Sequence, residues 1–185
     1  MMSDAKLDRL RRTLEAQSDE AVSFCQELVR IPSITGQEGD VASCVAERLN
    51  GFCDRVDIDR AGNVIAWLQG TGEGTLLLHA HMDVVPAGAK GDWRYGPFAG
   101  KLADGFIWGR GASDDKGSLA AQILALELLE QAGLAPGCDV CLAAVVGEEI
   151  GGLGTRVLVE QILPDLAIIG EPSGNALRCG HKGRV

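Results

Sequence analysis

The sequence predicts an α/β fold with a mostly parallel, doubly wound sheet and helices on both faces. Three short apolar runs, at residues 76–78, 140–146 and 166–169, are bounded by glycine and proline, as is typical of buried parallel strands. Helical patterns separate them, which gives the order βαβαβ after residue 60. A parallel sheet accounts for this order because each crossover helix returns the chain to the same edge.

The segment before residue 75 is predicted from stop signals and alternation. Ile31-Pro32 ends the first helical pattern, and Thr35 with Glu38 forms a capping-box signature for the second. Alternating apolar residues then indicate an edge strand. The predicted elements are a helix over residues 19–30, a second helix that runs to about residue 49, and strands over 54–58 and 63–68.

The segment after residue 75 contains the strongest helix. Leucine and isoleucine recur at helical spacing over residues 116–132, and Gly133 and Pro136 are stop signals. Residues 84–110 are irregular and rich in glycine and proline, which is typical of a functional loop. The remaining predicted elements are strands over 75–79, 139–146 and 165–169, and a helix over 154–162.

Length and charge limit the possible functions. The chain has 185 residues, 46% of them hydrophobic, which suits one domain with a sizeable core. Its net charge of −9 argues against nucleic acid or an anionic membrane as a partner. The apolar runs are too short to span a bilayer, and residues 1–20 lack the apolar core of a signal peptide. We therefore expect a cytoplasmic protein.

Six scattered cysteines are typical of reduced thiols. Cys138 and Cys141 form a C-x-x-C pattern, which can indicate zinc or redox chemistry. Residues three apart on a strand point to opposite faces, and there is no second cysteine pair. We interpret these cysteines as core thiols.

Potential metal ligands follow the apolar runs. The carboxyl ends of parallel strands meet at one edge of a sheet, where open α/β folds place their working crevice. Five of the residues expected there carry carboxylates, which would repel one another unless cations lay among them. The residues expected to converge there are His81, Asp83, Asp114, Glu148, Glu149 and Glu171.

Each motif has a simpler interpretation when it is considered alone. His81 and Asp83 share one face of an extended segment, so Asp83 can orient an imidazole that binds metal. The same two residues could be an ordinary capping pair at a strand end. Asp114 could likewise be a simple N-cap, Glu148-Glu149 a solvated acidic turn, and Glu171 part of a surface turn.

Taken together and in order, these motifs resemble the M20 family of metal-dependent amidohydrolases and peptidases. Members of that family include succinyl-diaminopimelate desuccinylase, acetylornithine deacetylase, carboxypeptidase G2-type enzymes and aminoacylases. The matching segments span most of the chain. They are residues 78–86, Trp93 with Pro97-Phe98, residues 109–117, Gly147-Glu148-Glu149 and residues 169–172.

The resemblance implies a centre of two divalent metal ions, zinc in the first instance and cobalt as an alternative. It implies that His81 and Glu171 bind one ion and Glu149 the other, with Asp114 bridging the two. It also implies a cis peptide bond between Asp114 and Asp115.

The resemblance further implies that Glu148 is the general base and that Asp83 orients His81. The implied reaction is hydrolysis of an amide bond by a water that two metals activate. The implied substrate is a small N-acyl amino acid or peptide. The implied assembly is a homodimer formed through a lid domain.

The chain also departs from the family pattern. The family supplies a further histidine ligand from near its C-terminus, whereas this sequence has only His79, His81 and His181. We expect His79 to be packed or hydrogen-bonded and His181 not to be a ligand. We expect residues 1–175 to form the N-terminal part of a catalytic domain, and residues 176–185 to begin a strand of a lid or dimerisation domain.

Two different interpretations of the sequence also remain open. This sequence lacks both the late histidine of the family and the last part of the family's sheet. We therefore keep open that the chain is a truncated, non-catalytic remnant with a partial metal site. A metal-storage module is the second possibility, but such a module has no need for Glu148 beside a ligand.

Overall fold

The computed structural model of the chain describes residues 3–180, which form a five-stranded sheet with helices on both faces. The α/β class is therefore confirmed. The described helices are α1 (Asp4–Arg30), α2 (Gly39–Asn50), α3 (Lys116–Gln131) and α4 (Leu153–Leu158). The strands are β1 (Arg55–Ile58), β2 (Val64–Leu68), β3 (Thr75–His81), β4 (Lys101–Ala103), β5 (Phe106–Trp108), β6 (Asp139–Val145) and β7 (Leu166–Ile169).

The main sheet has the strand order β1-β2-β6-β3-β7 and is mixed. Strand β3 runs parallel to both β6 and β7, whereas β2 is antiparallel to both β1 and β6. The expected mostly parallel arrangement is thus limited to three strands. The reason lies in the β1–β2 connection, where Asp59 Oδ1 accepts hydrogen bonds from the amides of Ala61, Gly62 and Asn63. A turn this tight can join only antiparallel neighbours.

Alternate residues of the strands pack against different helices. One side of the sheet, which includes Leu78 and Leu142, forms a large core with α1, α2 and α3. The other side, which includes Leu77 and Cys141, packs against Leu158 of α4. Helices therefore lie on both faces, as the sequence predicts, although α4 covers its face with only six residues.

Helix α1 begins at Asp4, fifteen residues earlier than the predicted start at residue 19. Its first half is mostly exposed: Leu7, Leu10 and Leu14 recur there at helical spacing, but polar and charged residues surround them, and the predicted helix begins only at residue 19. Contacts with α3 support it: Arg9 Nη1 donates to the carbonyl of Ala132 at 2.9 Å, and Gln17 donates to Gln131 at 2.9 Å. Tertiary contacts thus extend this helix.

The predicted capping box before α2 is wrong. Glu38 is itself the residue before the helix and makes no side-chain cap bond. Its Oε1 accepts the amide of Gly147, and the Thr35 hydroxyl donates to Asp83 Oδ2 at 2.8 Å. Both side chains therefore serve buried groups of another segment and are not available to the helix.

Smaller differences lie in the loops. The segment predicted as irregular contains the β4–β5 hairpin and a short 3-10 turn at Lys90–Asp92. Helix α4 is shorter than the predicted helix over residues 154–162. Residues 176–180 do not form the expected strand, and residues 181–185 lie outside the described part of the chain. No helix found within residues 3–180 is both long and apolar enough to cross a bilayer.

Candidate metal centre

The carboxyl ends of the three parallel strands meet at one edge of the sheet. Strand β3 ends at His81, while β6 and β7 lead into Glu148-Glu149 and Glu171. The turn before α3 brings Asp114 to the same edge, where its Oδ1 lies 2.9 Å from the imidazole Nε2 of His81. The topology therefore collects side chains that are up to 90 residues apart in sequence.

His81 is almost fully buried, with 1% of its surface exposed, and both ring nitrogens have polar neighbours. Its Nδ1 lies 2.9 Å from the main-chain carbonyl of Asp83, so this nitrogen donates and Nε2 faces Asp114. Burial alone would lower the pKa of His81, but the carboxylates of Asp83, Asp115 and Asp114 raise it to about 10. The surroundings of Nε2 therefore favour a positive charge.

Asp83 contacts the site differently from the sequence expectation. Its carboxylate Oδ1 lies 3.6 Å from His81 Nδ1, which is longer than a hydrogen bond, and the main-chain carbonyl takes that contact. The carboxylate instead accepts from the amides of Glu148 at 3.0 Å and Glu149 at 3.2 Å. Burial would raise the pKa of Asp83, but His81, the Thr35 hydroxyl and these amides hold it below its usual value.

Asp115 supports His81 from the other side. Its Oδ2 accepts the main-chain amide of His81 at 3.1 Å, while its buried Oδ1 has no hydrogen-bond partner. Burial raises the pKa of Asp115 to about 7. The peptide bond between Asp114 and Asp115 is cis, as the sequence resemblance implies.

Three of the expected ligands meet directly. Ligand atoms of His81, Asp114 and Glu149 all lie within 4.8 Å of one another. Burial raises the pKa of Glu149, and the charge of Asp114 raises it further. One imidazole nitrogen with carboxylate oxygens is a donor set that zinc accepts, and a cation would relieve the repulsion between these acids. The residues present therefore fit a divalent metal ion.

Glu171 does not belong to this close group. It follows the outermost described strand, β7, and its side chain is exposed. Partial burial raises the pKa of Glu171, His81 opposes that rise, and the charges of Asp114, Glu148 and Glu149 add to it. The charges of these residues therefore affect the pKa of Glu171, although its carboxylate is not among the ligand atoms of His81, Asp114 and Glu149 that lie close together.

His79, the other histidine within residues 3–180, does not join the close group. His79 Nε2 lies 2.9 Å from the Thr155 hydroxyl, and burial, followed by the charge of His81, lowers the pKa of His79 to about 4. The expectation of a hydrogen-bonded His79 is confirmed. His181 lies outside the described residues. The pair Cys138 and Cys141 consists of free thiols, of which Cys141 is fully buried.

Several buried polar residues near the site were not predicted from the sequence. Lys116 is fully buried, and its Nζ donates to the carbonyls of Leu28 at 2.9 Å and Ile31 at 2.6 Å. Glu38 and Asn63 hold amides of the turn that carries Glu148. Little in the sequence indicated these roles, because Glu38 resembled part of a capping box and Asn63 the first residue of a strand.

Comparison with known proteins agrees with this geometry. A sequence model described as Peptidase family M20/M25/M40 matches residues 77–182, which is more than half of the chain. The chain belongs to the M20 family. The matched segment includes all six residues that the sequence places at this edge of the sheet.

Two curated members show how far the similarity extends. A Pyrococcus abyssi protein named as a LysW-lysine/LysW-ornithine hydrolase is 35% identical over 173 residues, which cover 93% of this chain and 46% of that protein. A succinyl-diaminopimelate desuccinylase of Methylorubrum extorquens is 34% identical and matches 89% of this chain and 48% of its own length. The chain thus spans about half the length of the curated relatives that it matches.

Solved structures agree on the fold. An M20 family metallo-carboxypeptidase from Sulfolobus solfataricus superposes with a TM-score of 0.72 at 26% identity, covering 82% of this chain and 37% of that one. Human carnosine dipeptidase 1 superposes with a TM-score of 0.79 at 24% identity, covering 89% and 41%. The described elements therefore correspond to part of a larger metallopeptidase-like fold.

Proposed function

We propose that the protein carrying this chain is a metal-dependent hydrolase that cleaves the amide bond of a small N-acyl amino acid or peptide. The observation that carries the proposal is the convergence of His81, Asp114 and Glu149 within 4.8 Å, beside Glu148. Family membership supports hydrolysis, because the named relatives include a desuccinylase and a carboxypeptidase. Both names describe enzymes that hydrolyse an amide bond.

We propose two zinc ions as the resident metals, with cobalt as a possible substitute. His81 and Glu171 would hold the first ion, Glu149 would hold the second, and Asp114 would bridge the two. When bound, the ions supply Lewis acidity, which lowers the pKa of water at the site and polarises the amide carbonyl. Support comes from the donor set and from the raised pKa of Glu149, since burial and the charge of Asp114 disfavour its charged form more than His81 favours it.

The proton chemistry is assigned to Glu148. A carboxylate oxygen of Glu148 takes a proton from the attacking water, whose oxygen bonds to the amide carbon. The carbon–nitrogen bond then breaks, and Glu148 gives the proton to the leaving amine. Asp83 aids this transfer because its Oδ1 accepts the main-chain amide of Glu148 at 3.0 Å. This hydrogen bond fixes the position of the Glu148 backbone, from which the side chain of the general base extends.

Glu148→Gln in the intact protein tests this assignment. The substitution keeps the size of the side chain but removes the base, so we expect zinc content to be unchanged and kcat to fall by about 10²–10⁴-fold. The assay would follow release of free amine from acetylated and succinylated amino acids and from dipeptides. Glu130→Gln, at an exposed position on α3, is the matched control and should keep full activity. Undiminished hydrolysis by Glu148→Gln would remove Glu148 from the mechanism.

Three wider proposals accompany this function. We propose that residues 1–175 belong to the catalytic domain and residues 176–185 lead into a lid domain through which the protein dimerises. Residues 1–185 alone would be inactive, because the edge strand β7 exposes Leu166, Ile168 and Ile169, and an open apolar sheet edge favours aggregation over a stable folded form. The six free thiols favour a reducing compartment, which supports a cytoplasmic location.

A further inference from the structure

Four consecutive main-chain amides after β6 are held by side chains from elsewhere in the fold. Strand β6 ends at Val145, so the amides that follow no longer take part in its ladder. Each of them nevertheless donates to a side-chain oxygen. The bonds join Val146 N to Asn63 Oδ1 (3.1 Å), Gly147 N to Glu38 Oε1 (3.2 Å), Glu148 N to Asp83 Oδ1 (3.0 Å) and Glu149 N to Asp83 Oδ2 (3.2 Å).

The three acceptor residues are buried and come from separate parts of the chain. Asn63 and Asp83 are completely buried, and Glu38 is 7% exposed. Glu38 precedes α2, Asn63 precedes β2, and Asp83 follows β3. Buried side chains held by the core cannot follow a moving turn, so they fix the path of the backbone that reaches Glu148 and Glu149.

Asn63 also ties the far end of the same turn. Its Nδ2 donates to the carbonyl of Gly154 at 2.9 Å and to Asp59 Oδ2 at 2.9 Å. The amide of Gly154 returns to the carbonyl of Val146 at 2.9 Å. The two ends of the turn, at Val146 and Gly154, are therefore joined both by a backbone hydrogen bond and by Asn63, which bonds to each of them.

We infer that Glu38 and Asn63 are positioning residues for the reaction. They act through the backbone, setting where the Glu148 base and the Glu149 ligand lie, and neither touches the reacting atoms. This inference rests on the proposed function in its catalytic part. Its structural part, the restraint of the Val146 and Gly147 amides, can be tested separately.

Two size-matched substitutions at Glu38 separate the roles of this side chain. Glu38→Gln keeps an oxygen that can accept the Gly147 amide, whereas Glu38→Met has similar volume and only a weakly accepting sulfur. In the intact, zinc-loaded protein we expect Glu38→Met to lower kcat by about 10²-fold, because small misplacements of a catalytic group are costly. KM should stay within about twofold, and Glu38→Gln should recover most of kcat.

Asp139→Ala is the matched control for general destabilisation. Asp139 Oδ1 accepts the amide of Gly70 at 2.8 Å, at the opposite end of β6 from the site. This variant should lose stability yet keep wild-type kcat per zinc-loaded molecule. If Glu38→Met also keeps wild-type kcat, Glu38 has only a structural role and the catalytic part of the inference is wrong.

Amide hydrogen exchange tests the restraint without reference to activity. The Gly147 amide should be protected in the wild-type protein and should exchange at least about tenfold faster in Glu38→Met. The Val146 amide should respond in the same way to Asn63→Ala. A Gly147 amide that exchanges freely in the wild type would overturn the inference even if Glu38→Met does not fold. A wild-type protein that shows intact protection but no hydrolysis would count against the proposed function alone.

Discussion

Replacing Lys116 by methionine should remove a pH-dependent part of the stability of this fold. Lys116 is completely buried beside the end of α1, and burial lowers its pKa to about 8 even though the nearby Cys25 and Cys44 oppose that shift. An unfolded lysine titrates near pH 10.5. The folded state therefore binds fewer protons than the unfolded chain between about pH 8 and pH 10.5. Stability consequently rises with pH through that window.

The size of the effect follows from these two pKa values. Between pH 7.5 and pH 9.5, the linkage relation gives a gain of about 2 kcal/mol in the free energy of unfolding of the wild type relative to Lys116→Met. The neutral amine still has two N–H groups for the carbonyls of Leu28 and Ile31. Methionine has none, so the variant should also lose about 1–3 kcal/mol at every pH for each buried carbonyl left without a donor.

Urea unfolding followed by circular dichroism at pH 7.5, 8.5 and 9.5 measures both parts. The other titratable groups of the chain are the same in both proteins, so the difference between the two curves reports on Lys116 and its contacts. The expected difference widens by about 2 kcal/mol from pH 7.5 to pH 9.5. A difference that stays constant would show that Lys116 remains protonated when buried, with its two carbonyl contacts outweighing the cost of burial.

Two further substitutions test the site architecture. An alanine Cβ at position 154 would lie 2.2 Å from Asn63 Oδ1 and 2.6 Å from the Val146 carbonyl, so Gly154→Ala should cost at least about 2 kcal/mol of unfolding free energy. Gly39→Ala, where a Cβ meets nothing within 4 Å, should be neutral or slightly stabilising in the same urea experiment, and equal losses would contradict this contact analysis. Asp83→Asn should lower kcat by at least about tenfold, because its amide group cannot accept from both Glu148 and Glu149. The zinc affinity of this variant, measured by calorimetry, should change less than about threefold, because His81 Nδ1 bonds the main-chain carbonyl of residue 83. A loss of about 10–100-fold would instead show that the Asp83 carboxylate orients the His81 ring.

The sequence was sufficient to predict the strand ends and three residues that meet there, His81, Asp114 and Glu149, although Glu171 lies outside that close group. The apolar runs before His81 and Glu148 mark strands β3 and β6, and parallel pairing brings their ends together. The resemblance to a family added what physics alone left open, namely separate roles for Glu148 and Glu149 and the cis bond after Asp114. Alone, each of these acids was equally compatible with a cap or a solvated turn.

Features that depend on distant contacts were not predictable in the same way. The first half of α1 is mostly exposed and is supported by α3, and the antiparallel pairing of β1 with β2 depends on a tight turn centred on Asp59. Thr35 and Glu38 show local helix-capping chemistry, yet their side chains bind groups more than 45 residues away. A local pattern identifies what a side chain can do, whereas the folded chain decides which partner it meets.

Zinc-edge anomalous diffraction from crystals of the intact, zinc-loaded protein tests the central claim most directly. Two peaks are expected, one in contact with Nε2 of His81 and one in contact with the carboxylate of Glu149, with Asp114 touching both. Zinc–nitrogen and zinc–oxygen distances near 2.0–2.2 Å would be expected at each. Zinc bound at Cys138 and Cys141, or no peak beside His81 and Asp114, would contradict the assignment of this centre.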